Sequence, residues 1–498
     1  MQIRLYNINM KKLALAFSLF VLVPLFSFAQ PFYSALEPSE KESVVYVGSY
    51  DWGACVEKIV VNAGHLVSPQ SIRAKDFEVS RVLFPKSTNI GVVKGELSVT
   101  DAFSSDSKGN KVAAPSPFIT ILTDVHPEAE NSNPFVSLTL GSFRDYYSYK
   151  IENDSLDISI KKLKGFVNTV ATRFSTGTFS YTFPASEEEK QNPKYREENI
   201  TLSFASYFPV DSESKKIPLI LWLHGLSEGG TNPYTVLFGT KASALADEKI
   251  QSYFENGAAI LAPQSKTSWL ESTEKGPGGG RVWTPVDKDA PVNKIKKPIE
   301  NFLSKIFVNE GEAKPQKEKL PFAAVSRYTE PVKALLEEFL KNHPEIDTSR
   351  IYIGGCSAGG YMTMNMLIQY PDFFAAAFPI CEYYLDSKIT DTQIQSLAKK
   401  PLWFTYALND DMVRPEKNSL ATINRLKKAG AANLHSSEFR NVVDMSGLYL
   451  RNRSAKPNDE EFGLPYEYEG HYSWIYALND QCTDGEESLF AWLSKQKR

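Results

Sequence analysis

Hydrophobic positions along the chain follow two different grammars. Between residues 30 and 165 they come in short runs, "SVVYVG", "KIVVNA", "FITILT", "FVSLTLGSF" and "LDISIKKL", rich in Val, Ile, Phe and Thr. Turn formers such as "SKGN" (107–110) and "NSNP" (131–134) separate the runs, and no helical period stands out. Short strands at this density predict a β-sandwich. It lacks any cluster of His, Cys and carboxylates that would carry chemistry.

From residue 166 the grammar changes. "FSYTF" and "NITLSFASYFPV" predict an antiparallel hairpin, after which strands and helices alternate. "IPLILWLHG" (217–225) and "GAAILAPQ" (257–264) are continuous apolar runs, as strands buried on both faces require. Residues 331–344 are helical, because Val332, Leu335, Leu336, Phe339 and Leu340 fall at i, i+3, i+4, i+7 and i+8. "RIYIGG" (350–355) predicts a strand, and residues 358–370 a helix that stops before Pro371. Strands follow at 373–380, 401–408 and 434–440, with helices at 415–430 and 485–496. The alternation predicts a mostly parallel sheet with helices on both faces. Residues 265–327 interrupt it. The tract "GPGGG" (276–280) lacks the strand–loop–helix context of a phosphate cradle, so the segment reads as a flexible insertion near the site entrance. Trp269 and Trp283 within it are expected to serve packing.

Residues 1–29 follow a third pattern. Lys11 and Lys12, after Met10, precede an apolar run, and Ser27-Phe28-Ala29 offers small residues for cleavage. This reads as a signal peptide rather than a membrane anchor, since Pro24 and the short length argue against a span. Export to the periplasm or the exterior follows, with no membrane span after cleavage. The segment holds three basic residues and no acids, so its removal takes the net charge from −4 to −7. No long basic run exists, which excludes nucleic acid as a partner. The length, 498 residues with 42% hydrophobic and 23% charged, fits two globular domains: 30–165 and 166–498. Cys55, Cys356, Cys381 and Cys482 lack metal-site spacing and read as buried small hydrophobes, with a Cys381–Cys482 bridge as the alternative.

"GCSAG" (355–359) matches G-x-S-x-G between a predicted strand and a predicted helix. A serine on that strained turn is lifted to the carboxyl end of the sheet, and glycines two residues away on either side avoid collisions. Serine needs a base to become nucleophilic. In this architecture the order is Ser, acid, His. Only His435 and His471 follow Ser357. His435 lies in a predicted strand, which suits a structural role, so His471, in a loop near the C-terminus, is the expected base. The acid belongs in the loop "ALNDDMVRP". Asp410 is favoured through its D-x-x-V run with Val413, and Asp411 is the alternative. The oxyanion hole is assigned to the N–H groups of Ala358 and of Leu226, the latter from the loop "LWLHGLSEGG" (221–230). His224 precedes the nucleophile and reads as a loop-shaping residue.

These motifs, with "RIYIGGCSAGGYMTMNMLIQYPDFFAAAFPICE" and "GHYSWIY", resemble the α/β-hydrolase superfamily. The chain is most similar to secreted esterases related to polyhydroxybutyrate depolymerases and prolyl-oligopeptidase-like hydrolases. Some of these esterases carry an immunoglobulin-like domain in front, which "YDWGACVEKIVVN" and "LSVTDAFSSDSKGNKV" resemble. The insertion departs from the shorter pattern of the family. The resemblance implies an α/β hydrolase preceded by an immunoglobulin-like sandwich, acting as a serine hydrolase on short acyl or carbohydrate-linked esters. No metal or cofactor is expected. The alternatives are a prolyl-type peptidase and a non-catalytic binding protein that kept the fold. Against the peptidase, the N-terminal part lacks the repeated four-strand period of a gating propeller.

Overall fold

A computed structural model describes residues 42–84, 91–138, 142–163, 166–167, 173–191, 198–210, 215–271 and 325–498. The predicted signal peptide, the glycine tract and Trp283 lie outside the described residues.

The N-terminal strands are β1 (Val44–Tyr50), β2 (Gly53–Val67), β3 (Glu78–Leu83), β4 (Val92–Glu96), β5 (Val99–Ser105), β6 (Ser116–Thr123), β7 (Phe135–Leu138), β8 (Ser142–Tyr146), β9 (Ser148–Asn153), β10 (Ile158–Leu163) and β11 (Phe166–Val167). They form a five-stranded sheet, β11-β1-β2-β6-β5, and a four-stranded sheet, β10-β9-β3-β4, with β7 and β8 paired alone. The period of two is visible in β1. Val45 and Val47 enter the core that also holds Val79 and Ile151 of the second sheet, whereas Val44 and Tyr46 cluster with Val60 and Phe118. Phe166 and Val167 pair in parallel with Val45 and Tyr46, so the N-terminal sheet runs past the expected boundary at 165.

The sheet of the C-terminal part has eight strands: β12 (Ser175–Thr182), β13 (Asn199–Tyr207), β14 (Ile217–Leu223), β15 (Ala259–Gln264), β16 (Ile346–Cys356), β17 (Ala376–Ile380), β18 (Leu402–Ala407) and β19 (Leu434–Phe439). Their spatial order is β12-β13-β15-β14-β16-β17-β18-β19. The hairpin β12–β13 and the β13–β15 pair are antiparallel, and every later pair is parallel.

Strand β14 shows why its sequence is continuously apolar. Leu219, Leu221 and Leu223 face a core shared with helices α1 (Thr329–Asn342), α2 (Ala358–Gln369), α3 (Asp391–Leu397) and α4 (Ser419–Lys428). Ile220 and Trp222 face the opposite core, shared with the short helices α5 (Trp474–Leu478) and α6 (Leu489–Ser494). That second core is continuous with the interior of the N-terminal sandwich.

The interruption is narrower than the pattern suggested. Trp269 is fully buried, its Nε1 donates to the His224 carbonyl at 2.9 Å, and buried Ser326 donates to the Trp269 carbonyl at 2.5 Å. Both ends of the segment are therefore held in the domain core. All four cysteines are buried with free thiols.

Candidate active site

Strand β16 ends at Cys356 and helix α2 begins at Ala358. Ser357 between them has φ 57° and ψ −116°, a conformation that costs a non-glycine residue about 1–3 kcal/mol. Neighbouring contacts hold it there. The Ser357 N–H donates to the Ile380 carbonyl at 3.0 Å, and the Tyr361 N–H donates to the Ser357 carbonyl at 2.9 Å. The flanking glycines make the close approach possible. A Cβ at Gly359 would lie 1.9 Å from the Leu223 carbonyl oxygen, and one at Gly355 would lie 2.4 Å from the same atom. Backbone is the obstacle in both cases, so Gly359→Ala is expected to cost about 3 kcal/mol or more, the range of severe overpacking. A denaturant midpoint indistinguishable from wild type would contradict this.

His471 sits on a 3₁₀ turn, Gly470–Tyr472, just after strand β21 (Glu467–Tyr468), which pairs with β20 (Val442–Val443). Its Nε2 lies 2.9 Å from Ser357 Oγ and its Nδ1 lies 2.8 Å from Asp410 Oδ2. The other oxygen, Asp410 Oδ1, accepts the N–H groups of Met412 at 2.9 Å and Val413 at 2.7 Å. Asp410 is buried, whereas its neighbour Asp411 is exposed. The structure thus joins Ser357, His471 and Asp410 in one hydrogen-bonded chain and leaves Asp411 outside it. The edge of Trp474 meets the His471 ring at 5.7 Å.

Gly470 was not singled out by sequence reasoning. A Cβ there would lie 2.4 Å from the Asn409 carbonyl oxygen, so a side chain would push the histidine turn off the acid loop. The adjacent Gly-His pair was the only local trace of this.

Ala358 is the first residue of α2, so its N–H has no intrahelical acceptor and sits at the positive end of the helix. Leu226 opens a 3₁₀ turn, Leu226–Glu228, in the loop after β14. That loop is shaped by His224. The Ser265 N–H donates to His224 Nε2 at 3.1 Å, which leaves Nδ1 to donate to the Gly225 carbonyl at 2.6 Å. Burial pushes the His224 imidazole down to about 4, so it is neutral and outside any proton relay. His435 lies in β19, stacked on Trp403 at 4.9 Å, with its Nδ1 3.0 Å from Asp484. Among the described residues, no group of three or more His, Cys, Asp or Glu side chains converges as metal ligands would.

The sandwich reaches the segment that leads to His471. Arg453, between β20 and β21, donates to both oxygens of Asp124 at 2.9 and 3.0 Å. Buried His126 packs edgewise against Tyr449 and Tyr466 of the same segment. Lys241 bonds Asp51 of the sandwich and Asn479, which follows α5, each at 2.8 Å.

Residues 44–170 match the esterase Ig-like N-terminal domain, and residues 329–384, which carry Ser357, match the prolyl oligopeptidase family. A poly(3-hydroxyalkanoate) depolymerase C from Paucimonas lemoignei is 47% identical over 49 residues, which is 10% of this chain. The match spans 12% of that relative's own length. The crystal structure of a thermostable esterase superposes on 92% of this chain and 100% of its own, at 19% identity and a TM-score of 0.55. An acylaminoacyl peptidase in complex with Z-Gly-Gly-Phe-chloromethyl ketone aligns with 61% of this chain and 42% of its own, at 15% identity and a TM-score of 0.32. The front sandwich thus matches an esterase-type Ig-like domain, and 92% of the chain shares the fold of a solved esterase.

Proposed function

We propose that this protein is an exported serine hydrolase that cleaves carboxylic esters, of short acyl groups or of carbohydrates, through an acyl-enzyme. The observation that carries the reading is the chain of hydrogen bonds from Ser357 Oγ through His471 to Asp410. As Oγ attacks the ester carbonyl carbon, His471 Nε2 takes its proton. The carbonyl π pair moves to oxygen, and the N–H groups of Ala358 and Leu226 hold that oxyanion. Collapse of the tetrahedral intermediate breaks the bond to the alcohol oxygen, which takes the proton from His471 Nε2. Water then repeats the sequence on the acyl-enzyme, with Oγ as the leaving group. Asp410, held by two backbone N–H groups, keeps the Nδ1 proton of His471 in place and stabilises the imidazolium.

An ester is favoured over a peptide bond by the esterase-type sandwich at the front of the chain. A prolyl-oligopeptidase-like peptidase is the second reading, because the segment around Ser357 matches that family. Export rests on the pattern of residues 1–29. The deciding experiment compares hydrolysis of a short p-nitrophenyl ester and an Xaa-Pro anilide by the protein lacking residues 1–29. Ester turnover with little anilide turnover is expected. Anilide turnover at comparable kcat/KM would move the assignment to a peptidase.

A further inference from the structure

Glu228 is fully buried beneath the loop that follows β14, and no cation faces it among its bonded partners. Its Oε2 accepts the Gly225 N–H at 2.7 Å and its Oε1 accepts the Thr240 hydroxyl at 3.1 Å. Its own carbonyl accepts Gln264 Nε2 at 2.8 Å and the Thr235 hydroxyl at 3.2 Å. Both ends of the 225–228 turn are therefore tied down. Space was cleared for the carboxyl as well, since a Cβ at Gly239 would lie 2.5 Å from Glu228 Oε1. The strand of chain that supplies Thr240 is anchored next door by Lys241, bonded to Asp51 and Asn479.

Burial pushes the Glu228 carboxyl up to about 8, and among the described residues no cation is paired with it. Burying such a group is costly unless it is hydrogen-bonded, and both Glu228 oxygens are. What it does is visible in its first contact. The Gly225 N–H that it receives belongs to the residue immediately before Leu226, the proposed second oxyanion donor. The next peptide, which carries the Leu226 N–H, is set by this bond together with the His224 Nδ1 bond to the Gly225 carbonyl and the Gly225 φ of −71° between them.

We propose that Glu228 is a positioning residue that sets the oxyanion loop, orienting the Leu226 N–H through its bonds to Gly225 and Thr240. The inference rests on the serine-hydrolase reading. Glu228 touches no reacting atom. It acts only through the loop, so its loss should weaken transition-state binding and spare substrate binding.

The test is Glu228→Gln, assayed by steady-state hydrolysis of a p-nitrophenyl ester. The amide keeps the shape, but its NH₂ must face either the Gly225 N–H or the Thr240 N–H, neither of which can accept, so a backbone bond is lost. The kcat is expected to fall by about 10- to 100-fold, short of the loss on deleting a whole oxyanion donor, with KM within about twofold. Affinity for a trifluoromethyl ketone, which forms a tetrahedral oxyanion on serine, should fall by the same factor as kcat/KM. A folded Glu228→Gln protein with wild-type kcat, or with its loss mainly in KM, would overturn the proposal. If that variant does not fold, Thr240→Val decides, since it removes only the hydroxyl donor. It should show a smaller kcat-selective loss, and wild-type kcat there would also overturn the proposal. Failure of the hydrolase reading would look different: wild-type Ser357 would not label with a fluorophosphonate.

Discussion

Ser357→Ala is expected to lower kcat/KM on esters by about 10⁴- to 10⁶-fold, the range that loss of a triad nucleophile produces. In the proposed mechanism the substitution removes the atom that forms the acyl-enzyme and leaves the remainder of the site standing. His471 keeps its bond to Asp410, and the helix start at Ala358 keeps its N–H. A residual rate above that of water is therefore expected, from the oxyanion hole and from substrate binding. Stability should change little. The strain of φ 57° is already present with serine, and the glycines that permit the turn are untouched. Kinetics on the purified variant, with a thermal melt as the control, measure both quantities. Turnover near wild type in a folded Ser357→Ala protein would remove Ser357 from the mechanism.

Asp410→Asn is expected to cost about 10⁴-fold in kcat, while Asp411→Asn stays near wild type. The reason lies in the three donors around the carboxylate. Two backbone N–H groups, from Met412 and Val413, converge on Oδ1. An asparagine satisfies them by turning its amide oxygen to that side. Its NH₂ then faces His471 Nδ1, which must become an acceptor. The imidazole proton is driven to Nε2, where it faces Ser357 Oγ and blocks acceptance of the serine proton. Asp411 is exposed and takes no part in this arrangement. Measured side by side, comparable losses in the two variants would show that the acid assignment is wrong.

These two predictions draw on different kinds of information. The serine turn was legible because its constraints are local. A residue at positive φ between a buried strand and a helix needs glycines at fixed offsets, and five consecutive letters record that. Strand β14 was legible for a similar reason, because burial on both faces leaves a continuous apolar run. The period of helix α1 marked the face it buries, through Val332, Leu335, Leu336 and Phe339.

The acid was legible only as a pair. Asp410 and Asp411 share one loop and one chemistry, and what separates them is which carboxylate turns toward a histidine 61 residues away. That choice is made by packing. Gly470 and Glu228 were less legible still. A glycine that admits the Asn409 carbonyl, and an acid that braces a peptide from beneath, leave no periodic trace in their own neighbourhoods. The trimmed interruption has the same origin, since Trp269 and Ser326 are 57 residues apart in the chain and bonded in the fold.

By itself, the sequence determined the element types, the glycine-flanked serine turn and the order in which the proposed acid and base follow it. Period, turn chemistry and helix termini are properties of a few adjacent residues, so they can be read without a partner. The tertiary structure decided which aspartate meets the histidine, which carboxyl sits beneath the loop after β14, and where the sandwich meets the segment leading to His471. Each of those depends on contacts between residues far apart in sequence, and only the folded chain brings them within hydrogen-bond reach.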